Sequence, residues 1–361
     1  MDTNLGYMGA DLGGVTWGNG IFVGVGKYIS DDAAYIETSI DGLAWQRIPK
    51  TYSVLDLYAV TYGKGIFVAV GWDSYAGRNA YTSTNGINWS PGQLTGLPVL
   101  TCVTFGNNLF VAGATASTYR NLCTSPDGIN WTARDSGAPA SDPGNIQGVA
   151  FGNGTFVAVD SARHCYVSPT GGSWTQYTNR LVGSRIDFCN DFFFTPTGPG
   201  TNSISTDGTN WVALTNNTGV AFKRVVYAAG MYVAISDTGV FTSTDMTNWV
   251  VRPVPGNEDR HLNAVCFGGG RFLTVGYASP LPYVPLGYVS DPVAGIRISN
   301  GTPPVLQLSG LLQHFYRIDR RSPGLGDGWE SVGNILLTNS PQSWSDSGTN
   351  GAAFYRSVLL P

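Results

Sequence analysis

Arginine, aspartate, histidine and tyrosine recur together in the polar stretches between the apolar runs of this 361-residue sequence. Trp72, Asp73, Tyr75 and Arg78 form one such group; Tyr119 with Arg120, and Arg163 with His164, form two more. Arg185 stands near Asp187, Arg224 follows Lys223, and Asp259, Arg260 and His261 are consecutive. Aromatic rings cover apolar sugar faces while arginine forks bond hydroxyls and carboxylates, so this mixture suits a glycan. Trp72, Asp73, Tyr75, Arg78, Tyr119, Arg120, Arg163, His164, Arg185, Arg224 and Arg260 are therefore the candidate ligand contacts. Surface loops are polar in any protein, so each residue taken alone also fits ordinary solvation.

Two kinds of catalysis are open to the same residues. Glycoside hydrolysis needs a pair of carboxyl groups, which Asp73, Asp160, Asp187, Asp237 and Asp259 could supply. A polysaccharide lyase needs a base beside a cationic clamp, and Arg163–His164 and Arg260–His261 are the two places where such groups adjoin. No residue is singled out as catalytic. His164, His261 and His314 are too scattered for a zinc site, so no metal is expected. The GxG strings are not followed by a helical pattern, which removes the dinucleotide fingerprint, and no cofactor is expected.

Composition narrows the class. There are 48 glycines, nearly twice the usual share, while charged residues make up 12%, about half the usual share. With 12% aromatics this describes a turn-dense all-β chain with a weakly charged surface. The net charge of −4 and the lack of any Lys/Arg run argue against a nucleic-acid partner. No apolar run approaches the length of a membrane-spanning helix. The opening "MDTNLGYMGA" has neither the basic nor the apolar region of a signal peptide. Cys102, Cys123, Cys165, Cys189 and Cys266 are odd in number, share no metal spacing and fall in expected strands, so they read as small core residues.

The elements that would position these groups repeat along the chain. "VTWGNGIFVGVG" (15–26), "VTYGKGIFVAVG" (60–71), "VTFGNNLFVAG" (103–113) and "VAFGNGTFVAV" (149–159) are apolar alternations around a two-residue turn. "IDFCNDFFFTP" (186–196), "VVYAAGMYVAI" (225–235) and "VCFGGGRFLTVG" (265–276) are weaker copies, which makes seven hairpins. A second motif follows each of the first six: "SIDGLAW", "STNGINW", "SPDGINW", "SPTGGSW", "STDGTNW" and "STDMTNW". Its tryptophans at 45, 89, 131, 174, 211 and 249 recur at intervals of 44, 42, 43, 37 and 38, near the length of a four-stranded propeller blade. The Asp or Asn accepts backbone N–H groups in a tight turn, the Gly takes positive φ, and the Trp lays its ring over neighbouring strands. Met246 replaces that Gly, so the sixth turn is expected to be distorted or of another type; Thr170 replaces the acid in the fourth. The seventh copy, "YVSDPVAGIRI" (288–298), lacks the Trp.

In a blade of strands a to d, the a–b and c–d turns share one face, which here is short and uniform. The b–c and d–a connections share the other, and every candidate contact falls on them. This variable face is the expected binding face.

The turn-and-tryptophan motif resembles the Asp-box (BNR-like) β-propellers found in sialidases, sortilin-type receptors and many bacterial surface or phage proteins. The resemblance spans roughly residues 10–299 and is strongest to the phage and environmental-bacterial versions. The usual motif has one more residue between Asp and Gly than this chain. A sialidase is not implied: the chain has only three glutamates, Glu37, Glu258 and Glu330, and lacks the opening Phe/Tyr-Arg-Ile-Pro. After "GTPPVLQLSG" the period stops, and strands are expected at "VLQLSG", "FYRIDRR", "WESVGNILL", "QSWSDS" and "AAFYRSVLLP". The pattern "YRI…W…L…FYR" is similar to C-terminal β modules of secreted environmental-bacterial proteins.

The expectation is a seven-bladed β-propeller over 1–299 and a small C-terminal β module over 300–361. Its expected role is non-catalytic recognition of a glycan or other cell-surface ligand, at the cell or virion surface or outside the cell. A polysaccharide hydrolase or lyase with its site at the axis is the alternative. A structural or assembly module, self-associating through the C-terminal unit, is a third.

Overall fold

The computed structural model describes residues 2–4, 10–28, 33–49, 56–73, 79–92, 98–115, 120–138, 144–178, 182–237, 239–252, 259–279, 284–289, 295–299, 305–309, 315–321, 330–336, 342–345 and 354–359. The chain divides into two compact units, Met1–Gly268 with Leu273–Val289, and Gly269–Phe272 with Ser290–Pro361.

The first unit is an all-β propeller. Six blades are meanders of four consecutive antiparallel strands. Blade one runs Ala10–Gly18, Ile21–Tyr28, Ala33–Ser39 and Gln46–Arg47. The inner strands of blades two to six are Asp56–Gly63, Leu100–Gly106, Ile146–Gly152, Asp187–Cys189 and Arg224–Ala228. A further four-stranded sheet contains Asp259–Gly268, Arg271–Ser279 and Val284–Val289, and its fourth strand is the N-terminal Asp2–Asn4, antiparallel to Val284–Val289. Gly295–Ser299, read in the sequence as the end of the seventh repeat, pairs instead with Val305–Ser309. A three-residue polar strand has no periodicity to announce it, whereas "GIRIS" alternates well enough to suit either sheet.

Each a–b turn is built as its residues dictate. Asn19 and Gly20 have φ of 45° and 78°, and Lys64–Gly65 and Asn153–Gly154 repeat the pair of positive values, which matches the twist of the flanking strands. Asn19 Nδ2 donates to Thr84 O of the next blade at 3.2 Å, and Asn153 Nδ2 to Thr206 O at 2.9 Å. These bonds place the a–b and c–d turns on one face, as the repeat pattern implied.

The inner strands touch one another in order, and Asp259–Gly268 touches Ala10–Gly18, so the series returns on itself. A glycine ends most inner strands for a steric reason. A Cβ on Gly18 would lie 2.1 Å from Tyr62 Cγ, on Gly63 2.2 Å from Phe105 Cγ, on Gly106 2.0 Å from Phe151 Cγ and on Gly268 2.1 Å from Trp17 Cγ. The aromatic of each blade thus seats on the bare backbone of the one before. The core lies between successive sheets: Val23 and Val25 of blade one pack with Val60, Phe67, Tyr81 and Trp89 of blade two. Val68 and Val70 of blade two pack with Phe110 and Trp131 of blade three. Full burial of one such side chain contributes roughly 1.5–3 kcal/mol.

The c–d turn shows why its residues recur. In blade two Ser83 Oγ accepts the Gly86 N–H at 2.8 Å, Asn85 Oδ1 accepts the Ile87 and Asn88 N–H groups at 3.0 and 2.9 Å, and Trp89 Nε1 donates to Gly86 O at 2.8 Å. Blades one, three and five repeat these bonds with Asp41, Asp127 and Asp207. Blade six corrects the expectation of a distorted turn. Met246 takes a φ of 65°, its N–H reaches Ser243 Oγ at 3.0 Å, and Trp249 Nε1 reaches Met246 O at 2.7 Å. The side-chain bonds of Ser243 and Asp245 set the turn, and burial of the Met246 side chain among Phe222, Phe241 and Trp249 offsets its left-handed strain. In blade four Thr170 Oγ1 accepts only the Gly172 N–H, at 3.3 Å. All five cysteines are free; Cys102, Cys123, Cys165 and Cys189 are buried and Cys266 is half-buried. Burial pushes the thiols of Cys123 and Cys165 up to about 12.

The second unit holds two three-stranded antiparallel sheets. One joins Gly295–Ser299, Val305–Ser309 and Gln342–Ser345; the other orders Glu330–Leu336, Phe315–Arg321 and Phe354–Leu359. Ile318 and Ile335 are buried, and a Cβ on Gly333 would meet Trp344 Cζ2 at 2.9 Å.

Candidate functional site

Every inner strand has an apolar residue facing the core at one level: Val15, Val60, Val103, Val149, Ile186, Val225 and Val265. One residue earlier, toward the variable face, five strands carry Gly14, Ala59, Cys102, Gly148 and Ala264, but blades five and six carry Arg185 and Arg224. One step further are Tyr58, Thr101, Gln147, Ser184, Lys223 and Asn263, all half-buried or exposed. The variable-face end of the ring is therefore polar, and its cations concentrate on two adjacent blades.

The charges there form a connected set. Arg224 Nη2 lies 2.7 Å from Asp187 Oδ1, and the Val225 N–H donates to Asp187 Oδ2 at 2.9 Å. Burial pushes the Asp187 carboxyl up, against Arg224 and that N–H, which pull it down. Lys223 Nζ is ion-paired with Asp237 Oδ1, and His261 Nδ1 lies 3.4 Å from the same oxygen. Slight burial raises the Asp237 carboxyl, but the Lys223 hydrogen bond and charge, with the His261 contact, outweigh it and hold the carboxyl below its usual range. The His261 ring stacks on Tyr277, with centroids 4.6 Å apart and planes at 20°. Asn263 Nδ2 bridges Asp11 Oδ1 at 2.8 Å and Leu12 O at 3.0 Å, fastening the last sheet to blade one. Arg185 differs from its neighbours: among the described residues it takes part in no hydrogen bond or ion pair. The residue as a whole is exposed, but burial of its guanidinium among protein atoms, followed by the Arg224 charge, holds it below the ordinary arginine value.

The other expected contacts are dispersed. Trp72, at the end of strand Ile66–Trp72, is 42% exposed. Its neighbour Asp73 is buried, where it accepts the Tyr81 hydroxyl at 2.9 Å while its own N–H donates to Asn79 Oδ1 at 3.0 Å. Arg120 is exposed. Arg163 is exposed at the tip of a tight turn with φ 68°, its N–H bonded to Asp160 O at 3.1 Å. His164 Nδ1 sits 3.0 Å from Asp160 Oδ2, which also accepts the Tyr166 hydroxyl at 2.8 Å, and Asp160 Oδ1 accepts the His164 N–H. Tyr75, Arg78 and Tyr119 lie outside the described residues. Arg260 lies in strand Asp259–Gly268, with its side chain outside them.

Of the expected contacts that are described, then, the structure brings together from different blades only Arg185 and Arg224. It adds Asp187, Lys223, Asp237, His261 and Tyr277 from the same loops, and Asp11 and Asn263, which the sequence reading did not name. The signal for Asn263 was present in the columns of the repeat: six of the seven inner strands carry a polar residue at its depth, and these must meet around one axis.

No protein-family pattern and no curated protein matches this chain. The chain is similar in fold to YCF48 from Cyanidioschyzon merolae, at 16% identity and a TM-score of 0.59, over 80% of this chain and 97% of that one. It is similar to virginiamycin B lyase from Staphylococcus aureus at 11% identity and a TM-score of 0.64, over 80% and 98%. PorZ, a surface component of the type-IX secretion system of Porphyromonas gingivalis, matches at 12% identity and a TM-score of 0.54, over 96% of this chain and 58% of that one. At these identities the likeness is one of fold alone.

Proposed function

We propose that this chain is a seven-bladed Asp-box-like propeller acting as a non-catalytic recognition module, with glycan bound at the variable face over the axis. In this reading the sheet of Asp259–Gly268, Arg271–Ser279 and Val284–Val289 is the seventh blade, and Asp2–Asn4 closes the ring. The module works outside the cell or on a cell or virion surface, and the second unit serves attachment or self-association.

The observation that carries this reading is the state of the acids. Hydrolysis needs one carboxyl group free to protonate a leaving oxygen and another free to attack or to activate water. The carboxyl of Asp73 is held by Tyr81, that of Asp160 by His164 and Tyr166, that of Asp187 by Arg224 and the Val225 N–H, and that of Asp237 by Lys223 and His261, while the Asp259 side chain lies outside the described residues. Each bonded carboxyl is committed to fixing a loop or a cation, which suits a rigid binding surface. A glycan array run beside a polysaccharide depolymerisation screen tests the proposal. Binding without chain cleavage is expected; a new reducing or unsaturated end produced by the wild-type protein, and lost in Asp160→Asn or Asp237→Asn, would replace it with the hydrolase or lyase reading.

A further inference from the structure

Arg185 combines three features that no other described cation of the axis, Arg224 included, has together. It occupies a column filled by Gly, Ala or Cys in five of the seven inner strands. It has no hydrogen bond or ion pair among the described residues, although Asp187 is near enough to act on it electrostatically. The acid it would otherwise take is already bonded on both oxygens, Oδ1 by Arg224 and Oδ2 by the Val225 N–H. A guanidinium crowded by protein atoms and by a second arginine is left short of an anion.

We propose that Arg185 is the anchor of an acidic-saccharide site: its fork takes the carboxylate of a uronic-acid residue, beside the Arg224–Asp187 pair and the His261–Tyr277 ring stack. This deepens the glycan reading above and rests on it. A planar carboxylate matches the guanidinium fork bidentately, which a neutral sugar cannot do. The ring stack supplies a flat surface one blade beyond Arg224, in the last sheet, suited to the C–H face of a pyranose. Lys223 is neutralised by Asp237, and Arg224 by Asp187, so among the described residues Arg185 is the charge that discriminates, while the paired cations keep the local field from favouring a second carboxylate.

Titration calorimetry of the full chain with an oligogalacturonate, its methyl ester and poly-glutamate provides the test. The wild-type protein is expected to bind the uronate at least tenfold more tightly than the ester, with the difference shrinking as salt rises. Arg185→Gln removes an exposed side chain; it is expected to keep the wild-type thermal transition and to bind acid and ester alike. Arg185→Lys, which keeps the charge without the fork, is expected to fall between them. Equal affinity of the wild-type chain for acid and ester overturns the carboxylate site and leaves glycan recognition standing. Failure to bind any saccharide overturns both. Poly-glutamate bound as tightly as the uronate, and lost in Arg185→Gln, overturns the saccharide in favour of an acidic peptide. The acid-against-ester comparison uses only the wild-type chain, so it decides the matter even if a variant misfolds.

Discussion

Glu37 offers a quantitative check on the account of the core. It sits in strand Ala33–Ser39, 1% exposed, where Oε1 accepts the Tyr35 hydroxyl and Oε2 has no hydrogen-bond partner. Arg47 lies opposite it in the ladder, its guanidinium 5.3 Å from the Tyr35 ring centroid. Burial lifts the Glu37 carboxyl from 4.5 to about 7, against the Tyr35 bond and the Arg47 charge, which lower it. The folded chain therefore holds this proton more tightly than the unfolded chain. Stability from this group is full below about pH 4.5, falls as pH rises toward 7, and is level above that. The total loss is about 3 kcal/mol, at about 1.4 kcal/mol for each pKa unit. Glu37→Gln keeps an acceptor for Tyr35 but buries an amide NH2 with no partner, a penalty of roughly 1–3 kcal/mol that does not vary with pH. Urea unfolding of both proteins at pH 5 and pH 8 separates the two effects, because other titrating groups are common to both. The variant should gain about 2.5 kcal/mol on the wild type between pH 5 and pH 8, the part of the total that falls in this window. A difference that stays constant within about 0.5 kcal/mol would show that Glu37 is ionised throughout and the burial argument wrong.

Further predictions follow from the turns and the closure. Gly63→Ala drives a methyl into Phe105, at 2.2 Å from its Cγ, and should lower stability by about 1–3 kcal/mol or more; Gly65→Ala, with φ 78° and open space around it, should lose only about 1 kcal/mol of left-handed strain in the same chemical denaturation series. Thr170→Asp should add the Ser173 N–H bond that blade four lacks to the Gly172 bond it already makes, raising stability by about 0.5–1 kcal/mol at pH 7 in urea titration. For Asp127, slight burial raises the carboxyl but the Asn130, Ile129 and Ser125 bonds hold it at about 2, so its contribution is present above about pH 4 and disappears as pH falls through 2; Asp127→Asn should cost under about 1 kcal/mol at pH 7, a small remainder of that at about pH 2 and nothing well below it. Deleting residues 1–4 strips the partner strand from Val284–Val289 and should lower the thermal midpoint by about 2–4 °C for each kcal/mol lost.

What the sequence disclosed, it disclosed through repetition. "NGIF" and "KGIF" announce hairpins because only residues tolerant of positive φ satisfy a two-residue turn, and Trp89, Trp131 and Trp211 announce blade ends because each indole N–H closes on the turn carbonyl three residues before it. Met246 misled because its turn is set by Ser243 and Asp245 more than by the residue between them. Asp2–Asn4 was hidden because its pairing partner lies at the far end of the chain and its polar residues carry no alternation. The cluster around Arg185 was only half legible. Its members belong to polar loops of three different sheets, and only the ring brings Arg224 to Asp187 and His261 to the Lys223–Asp237 pair.

The central claim, that ligand meets the variable face over the axis, is tested most directly by hydrogen–deuterium exchange of the full chain with and without a bound glycan. Added protection is expected where blades five and six and the last sheet begin, around 184–187, 223–226 and 259–263. Protection confined to the opposite face, at the turns 19–20, 64–65 and 153–154 and their neighbouring Ser-x-Asp turns, would contradict it.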